Sequence, residues 1–309
     1  MHPFRFGVQL AGAPSGKAWG ALARRVESLG YSTLYVPDHF DDVWAPTPAL
    51  ALAASATTTL KVGSLVYDND FRHPLVLAKE MATLDLASEG RLEVGIGAGW
   101  MRTDYEQSGM TYDDPAVRVR RMEEAILVMK GLWTTDPFSF QGEFYTLTGA
   151  RGLPRPHSQP YPTLLVGGGS PRVLRIAGRE ADIVGINLNM RAGHVGPEIA
   201  ATAFAQHFDR RVDWVKEGAG ERFSEIELQL FFFASAITDN PQALADQIAS
   251  VFGVDPALVL DLPVVLAGTV DSVCDQLVER RERWGFSNFV FHEAAIDTLA
   301  PVVERMAGR

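Results

Sequence analysis

Apolar runs rich in Val, Ile, Leu and Phe recur along the chain and alternate with stretches whose apolar residues fall at helical spacing. The runs at 4–10, 33–36, 60–66, 92–96, 163–166, 182–186, 226–233 and 288–291 predict eight strands. Segments 19–29, 48–57, 75–86, 117–132, 173–179, 199–216, 241–251 and 273–284 predict helices between or after them. Pro48 and Pro241 suit first helical turns, while Gly30 and Gly285 suit helix stops.

Strands that alternate with helices predict a parallel sheet. Eight such units in 309 residues match an α/β fold of the (β/α)8 TIM-barrel type better than an open doubly wound sheet, which stays the alternative. Residues 1–309 read as one barrel domain with insertions near 100–116, 134–162 and 187–198. In the second insertion, "FSFQGEFYTLTG" (138–149) alternates aromatic and polar residues about Gly142, as a hairpin does. In the third, "NLNMRAGHVGP" (187–197) reads as a long loop after the sixth strand.

Composition narrows the partners. With 47% hydrophobic and 21% charged residues, the chain is an ordinary globular protein with ample core material. A net charge of -10 argues against nucleic-acid and anionic-membrane binding, leaving small molecules and copies of the chain itself. The N-terminus "MHPFRFGVQL" lacks a basic segment leading into an apolar stretch, so a cytoplasmic protein is expected. The single cysteine, Cys274, cannot form an internal disulfide or a thiolate cluster. Redox chemistry would need a bound cofactor. The seven histidines show no metal-ligand spacing, and His73 before Pro74 reads as a cap or loop residue.

In a barrel the active site lies at the C-terminal ends of the strands. Four suggestive stretches fall there: Asp38-His39 after strand two, "YDNDFRHP" after strand three, "GAGW" after strand four and "GGGSPR" after strand five. The Asp38-His39 pair offers an orienting carboxylate and an imidazole; on an exposed turn it would be only a capping Asp and a satisfied His. "VGGGSPRVLRIAG" (166–178) places three glycines before a helix, which makes an anion cradle suited to phosphate, with Arg172 or Arg175 available to neutralise it. The same residues also make a tight strand-to-helix turn with Ser170 as N-cap and Pro171 at the first helical position, and both readings can hold together. "EVGIGAGW" (93–100) fails the dinucleotide fingerprint, because Trp100 replaces the third glycine and 101–114 reads as loop. "GAPSGKA" (12–18) lacks P-loop spacing.

Taken with "LGYSTLYVPDHF", "VGSLVYDNDFRHPLVLAKEMATLD", "SEGRLEVGIGAGWMRTDYEQSG", "PTLLVGGGSPRVLRIAGREADIVGIN" and "LAGTVDSVCDQL", the chain resembles the luciferase-like monooxygenase superfamily, especially its coenzyme F420-dependent oxidoreductase branch. The resemblance implies a barrel with a large planar cofactor across its rim, F420 or alternatively FMN, and a homodimer. It implies a bulge after strand three with a non-proline cis bond near Leu65-Val66, supporting the cofactor ring together with Asp68. Asp38 would lie at the ring's polar edge, His39 and Trp44 toward the substrate, and Ala98, Gly99 and Trp100 along the cofactor channel. Gly167, Gly168, Gly169 and Ser170 would hold the phosphate. Sugar-phosphate dehydrogenases of this branch carry a catalytic Glu where this chain has Trp100, which argues against that substrate. The expected function is F420-dependent hydride transfer to or from a small organic substrate, with His39 moving the proton. An FMN-dependent monooxygenase and a non-catalytic cofactor binder are the alternatives.

Overall fold

A computed structural model describes residues 2–309. Eight parallel staves close into a barrel: Arg5–Gln9, Thr33–Val36, Lys61–Ser64, Leu92–Gly97, Thr163–Gly168, Ile183–Ile186, Glu227–Phe231 and Phe286–His292. The first stave pairs with the eighth and the third with the fourth, so no edge is left open. Each stave has a covering helix: Gly16–Ser28, Pro46–Ala56, Pro74–Ala87, Pro115–Thr134, Pro171–Glu180, Ala205–Ala219, Val270–Trp284 and Ile296–Met306. His73 caps the third of these, its Nδ1 accepting from the Leu75 amide at 3.2 Å.

Several boundaries differ from the sequence pattern. The helix at Pro241–Phe252 is not a covering helix but part of an insertion between staves seven and eight, where Ala234–Ile237 and Val265–Gly268 form a separate two-stranded parallel sheet. The predicted 226–233 strand therefore ends at Phe231. The eighth covering helix is Ile296–Met306, concealed in the sequence by its internal Pro301. The predicted 199–216 helix is two, Pro197–Ala200 and Ala205–Ala219. The expected hairpin is present as Phe138–Gln141 paired with Thr146–Ala150.

The third stave stops at Ser64, and a cis Leu65-Val66 peptide forms a bulge before the short strand Tyr67–Asp68 resumes pairing with the fourth stave. The bulge presses on its neighbour. A side chain at Gly95 would meet the Ser64 carbonyl oxygen at 1.9 Å, so only glycine fits there.

The two barrel ends differ in chemistry. At the N-terminal end, Arg5 pairs with Glu93 at 2.7 Å and with Glu227 at 2.5 Å, and the Tyr35 hydroxyl donates to Glu93 at 2.5 Å. Burial alone would push the Glu93 carboxyl up, but Arg5 and Lys61 outweigh it and hold it below its ordinary range. This charged plug fills that end.

Candidate active site

At the C-terminal ends of the staves lies a cavity of about 470 Å³, a size common for small-molecule and cofactor sites. Staves two, three and four bring Asp38, His39, Leu65, Val66, Asp68 and Trp100 to its wall, joined by Ala98 and Gly99. From stave five come Gly167, Gly168, Gly169 and Ser170. Trp44 is not among the lining residues. Its ring packs against Trp19 at 5.3 Å between centroids, over Gly12.

The glycine turn is shaped by its neighbour strand. A side chain at Gly169 would meet the Leu188 and Asn187 carbonyl oxygens at 2.2 and 2.5 Å, so the backbone approaches as closely as it can. Ser170 sits at the N-cap of Pro171–Glu180 and lines the cavity, yet its side chain makes no capping bond. The arginines expected to neutralise an anion here do not do so: Arg172 pairs outward with Glu123 at 3.4 Å and Arg175 with Glu217 at 2.7 Å. Their place on outward turns of the helix gives them nearer carboxylates.

Another cation stands behind the turn. Arg211, 2% exposed, donates to the Thr202 carbonyl at 2.9 Å and reaches the Gly169 carbonyl at 3.5 Å. Among the described residues no carboxylate pairs with it, and burial pulls its guanidinium down to about 10. The cradle is thus backed by an uncompensated positive charge, which favours an anion.

Across the cavity the ionisable groups are engaged with each other. Asp38, expected at a cofactor's edge, accepts from Arg72 through both oxygens, at 2.5 and 3.1 Å, and from the Asp68 amide at 3.0 Å. Asp68 accepts from the Asp70 amide at 2.9 Å and from the Tyr105 hydroxyl at 3.2 Å. Burial pushes the Asp68 carboxyl up to about 7, aided by Asp70 and Asp38 and opposed by the Asp70 amide. Burial and the neighbouring acids Asp68 and Asp70 push Tyr105 upward, so it stays a neutral donor. Arg118 lines the cavity and ties down the turn after stave four by donating to the Gly99 carbonyl at 2.5 Å.

His39 is held on two sides. Its Nδ1 lies 2.8 Å from Asp104 Oδ2, and its ring meets the Trp100 ring edge-on at 5.8 Å between centroids. Asp104 belongs to the helix Arg102–Ser108, in a segment the sequence pattern assigned to loop. Neither Asp104, Arg72 nor Arg211 was singled out beforehand. The one available signal was Gly109, which ends the short helix in the left-handed conformation.

The closed barrel thus carries a glycine turn on one stave and an apolar bulge at Leu65-Val66 on another, both lining the cavity at its mouth. The sequence profile of the luciferase-like monooxygenase family matches residues 1–263, and the chain belongs to that family. It is 34% identical over 168 residues to the F420-dependent glucose-6-phosphate dehydrogenase of Amycolatopsis mediterranei (strain U-32), covering 52% of this chain and 50% of that protein. It is also 34% identical over 128 residues to the FMNH(2)-dependent dimethylsulfone monooxygenase of Pseudomonas putida, covering 41% of this chain and 35% of that one. The chain thus spans about half the length, or less, of these curated relatives. In fold it matches the coenzyme F420-dependent tetrahydromethanopterin reductase of Methanopyrus kandleri with a TM-score of 0.79 at 20% identity, covering 98% of this chain and 99% of that one. No helix among the described residues is long and apolar enough to cross a membrane.

Proposed function

We propose that this chain is an F420-dependent oxidoreductase acting on a small organic substrate. When bound, the deazaflavin would supply a carbon centre that accepts or gives a hydride, and the protein's residues position, shield and manage protons around it. The reading is carried by the cradle: close-packed Gly169, Ser170 without a capping bond and buried Arg211 together suit a phosphate, and a phosphate would give Arg211 its missing counter-charge. Leu65 and Val66 offer an apolar floor for a flat ring, bounded by Ala98, Gly99 and Trp100. Asp38 then acts through the wall it holds with Arg72 and the Asp68 amide, and Asp68 is the carboxyl beside the floor that changes charge near neutrality. His39, on the rim, is the group we assign to proton exchange with the substrate. Trp44 contributes by packing rather than by contact.

The resemblance to the Pseudomonas putida monooxygenase favours reduced FMN as a second reading, since FMN also carries a phosphate. Parallel fluorescence titrations with F420 and FMN test the choice. Saturable binding of F420 with weak or no binding of FMN is the expected outcome, and the reverse would transfer the reading to a flavin monooxygenase. We further read the chain as one domain that works as a cytoplasmic homodimer, which sedimentation of the purified protein checks for the assembly.

A further inference from the structure

We infer that Asp104 is a positioning residue that fixes the tautomer of His39, keeping the proton on Nδ1 and leaving Nε2 as the atom that exchanges a proton with the substrate. The catalytic use of Nε2 rests on the reading above; the tautomer itself does not.

The carboxylate does two things at once. Asp104 Oδ2 lies 2.8 Å from His39 Nδ1, while Oδ1 accepts the backbone amide of the next residue, Phe40, at 3.1 Å. The Asp104 side chain is 1% exposed, so water does not compete for either oxygen. A buried ionised carboxylate is only an acceptor, so the nitrogen facing it must carry hydrogen. Nε2 has no hydrogen-bond partner among the described residues, and the ring lines the cavity. Helix Arg102–Ser108 thus reaches over from stave four to set the chemistry of a residue that follows stave two.

Replacement by asparagine turns this geometry into a prediction. An amide has one acceptor and one donor end. The Phe40 N–H is always a donor, whereas the imidazole can move its proton from one nitrogen to the other. In Asp104→Asn the carbonyl oxygen therefore stays on the Phe40 amide and the NH2 group turns to His39 Nδ1. That arrangement is satisfied only when the proton sits on Nε2. The near-isosteric change reverses the tautomer rather than merely loosening the ring, and in a Ser-His-Asp triad the same carboxylate-to-amide change, which leaves the imidazole in the wrong tautomer, lowers turnover on the order of 10⁴-fold.

The test needs neither cofactor nor substrate. Long-range proton–nitrogen NMR of protein labelled with 15N-histidine, carried to a pH at which imidazole titration is complete, reads which ring nitrogen bears hydrogen. His39→Gln identifies the signal. The parent protein should show His39 protonated at Nδ1, Asp104→Asn should show it at Nε2, and Asp104→Ala, which offers neither end, should show a mixture. Thermal unfolding confirms that each variant is folded. A parent already protonated at Nε2, an asparagine variant still protonated at Nδ1, or an alanine variant that keeps the parent's pure form would overturn the inference. Any of these would leave the cofactor titrations untouched, and a failed titration would leave the tautomer standing.

Discussion

The guanidinium of Arg72 grips Asp38 through both carboxylate oxygens, at 2.5 and 3.1 Å, and Asp38 in turn accepts the Asp68 amide just beyond the bulge. This pair joins the end of stave two to the loop after stave three, so the cavity wall depends on it. Removing one partner leaves the other charge largely buried, with Asp38 only 6% exposed. Arg72→Met should destabilise the fold by about 2–4 kcal/mol, discounted for the partly exposed guanidinium, and should also weaken cofactor binding. Urea denaturation and the fluorescence titration check the two effects. An unchanged unfolding midpoint would show that the pair carries no stability.

The cradle gives a second expectation. In Gly169→Ala the new methyl group must displace the carbonyls of Asn187 and Leu188, which belong to backbone and cannot swing away. Cofactor affinity should fall by about tenfold or more, about 1.4 kcal/mol in binding free energy. Arg211→Met, which removes the charge but not the turn, should lower affinity with a smaller salt dependence than the parent shows. Isothermal titration at two ionic strengths separates the two variants.

Asp68 should make stability fall with rising pH. Its carboxyl titrates at about 7 in the folded chain against an ordinary 3.8, so between those values the folded state holds a proton that the unfolded chain has released. Stability from this group is full below about 4 and is lost as pH rises through about 7. Asp68→Asn should therefore be more stable than the parent at pH 8 by about 2–4 kcal/mol, with the difference shrinking at pH 5. Thermal melts at the two values decide it.

Glu27 should act with the opposite sign. Burial pushes its carboxyl up, but the Thr59, Leu60 and Thr58 amides outweigh that and hold it at about 2, against an ordinary 4.5. Its contribution is present above about 4.5 and is lost as pH falls through about 2. Glu27→Gln should cost about 1–2 kcal/mol at pH 7, with a narrower gap at pH 3. A gap independent of pH would mean that the amides do not depend on the charge.

Much of the barrel was legible because strand and helix periods are local properties, and the glycine-rich turn after stave five could be placed from its own residues. The covering helix Ile296–Met306 was hidden because a proline at its centre imitates a break, and Val265–Gly268 falls in a segment to which no strand was assigned. The partners of the site were hidden for a different reason. Asp104 lies 65 residues from His39, Arg72 lies 34 from Asp38 and Arg211 lies 42 from Gly169. Each pairing is made by the closing of the ring and has no counterpart in local spacing. The Asp38-His39 dipeptide was visible, but the sequence could not show that its two members turn to separate partners.

The charged plug of Arg5, Glu93 and Glu227 has a kinetic consequence. It makes the barrel a cul-de-sac, so every molecule that enters must leave through the same doorway. On the proposed reading, a cofactor seated on Leu65-Val66 would leave last, and a substrate above it would arrive second and depart first, a sequential order of addition.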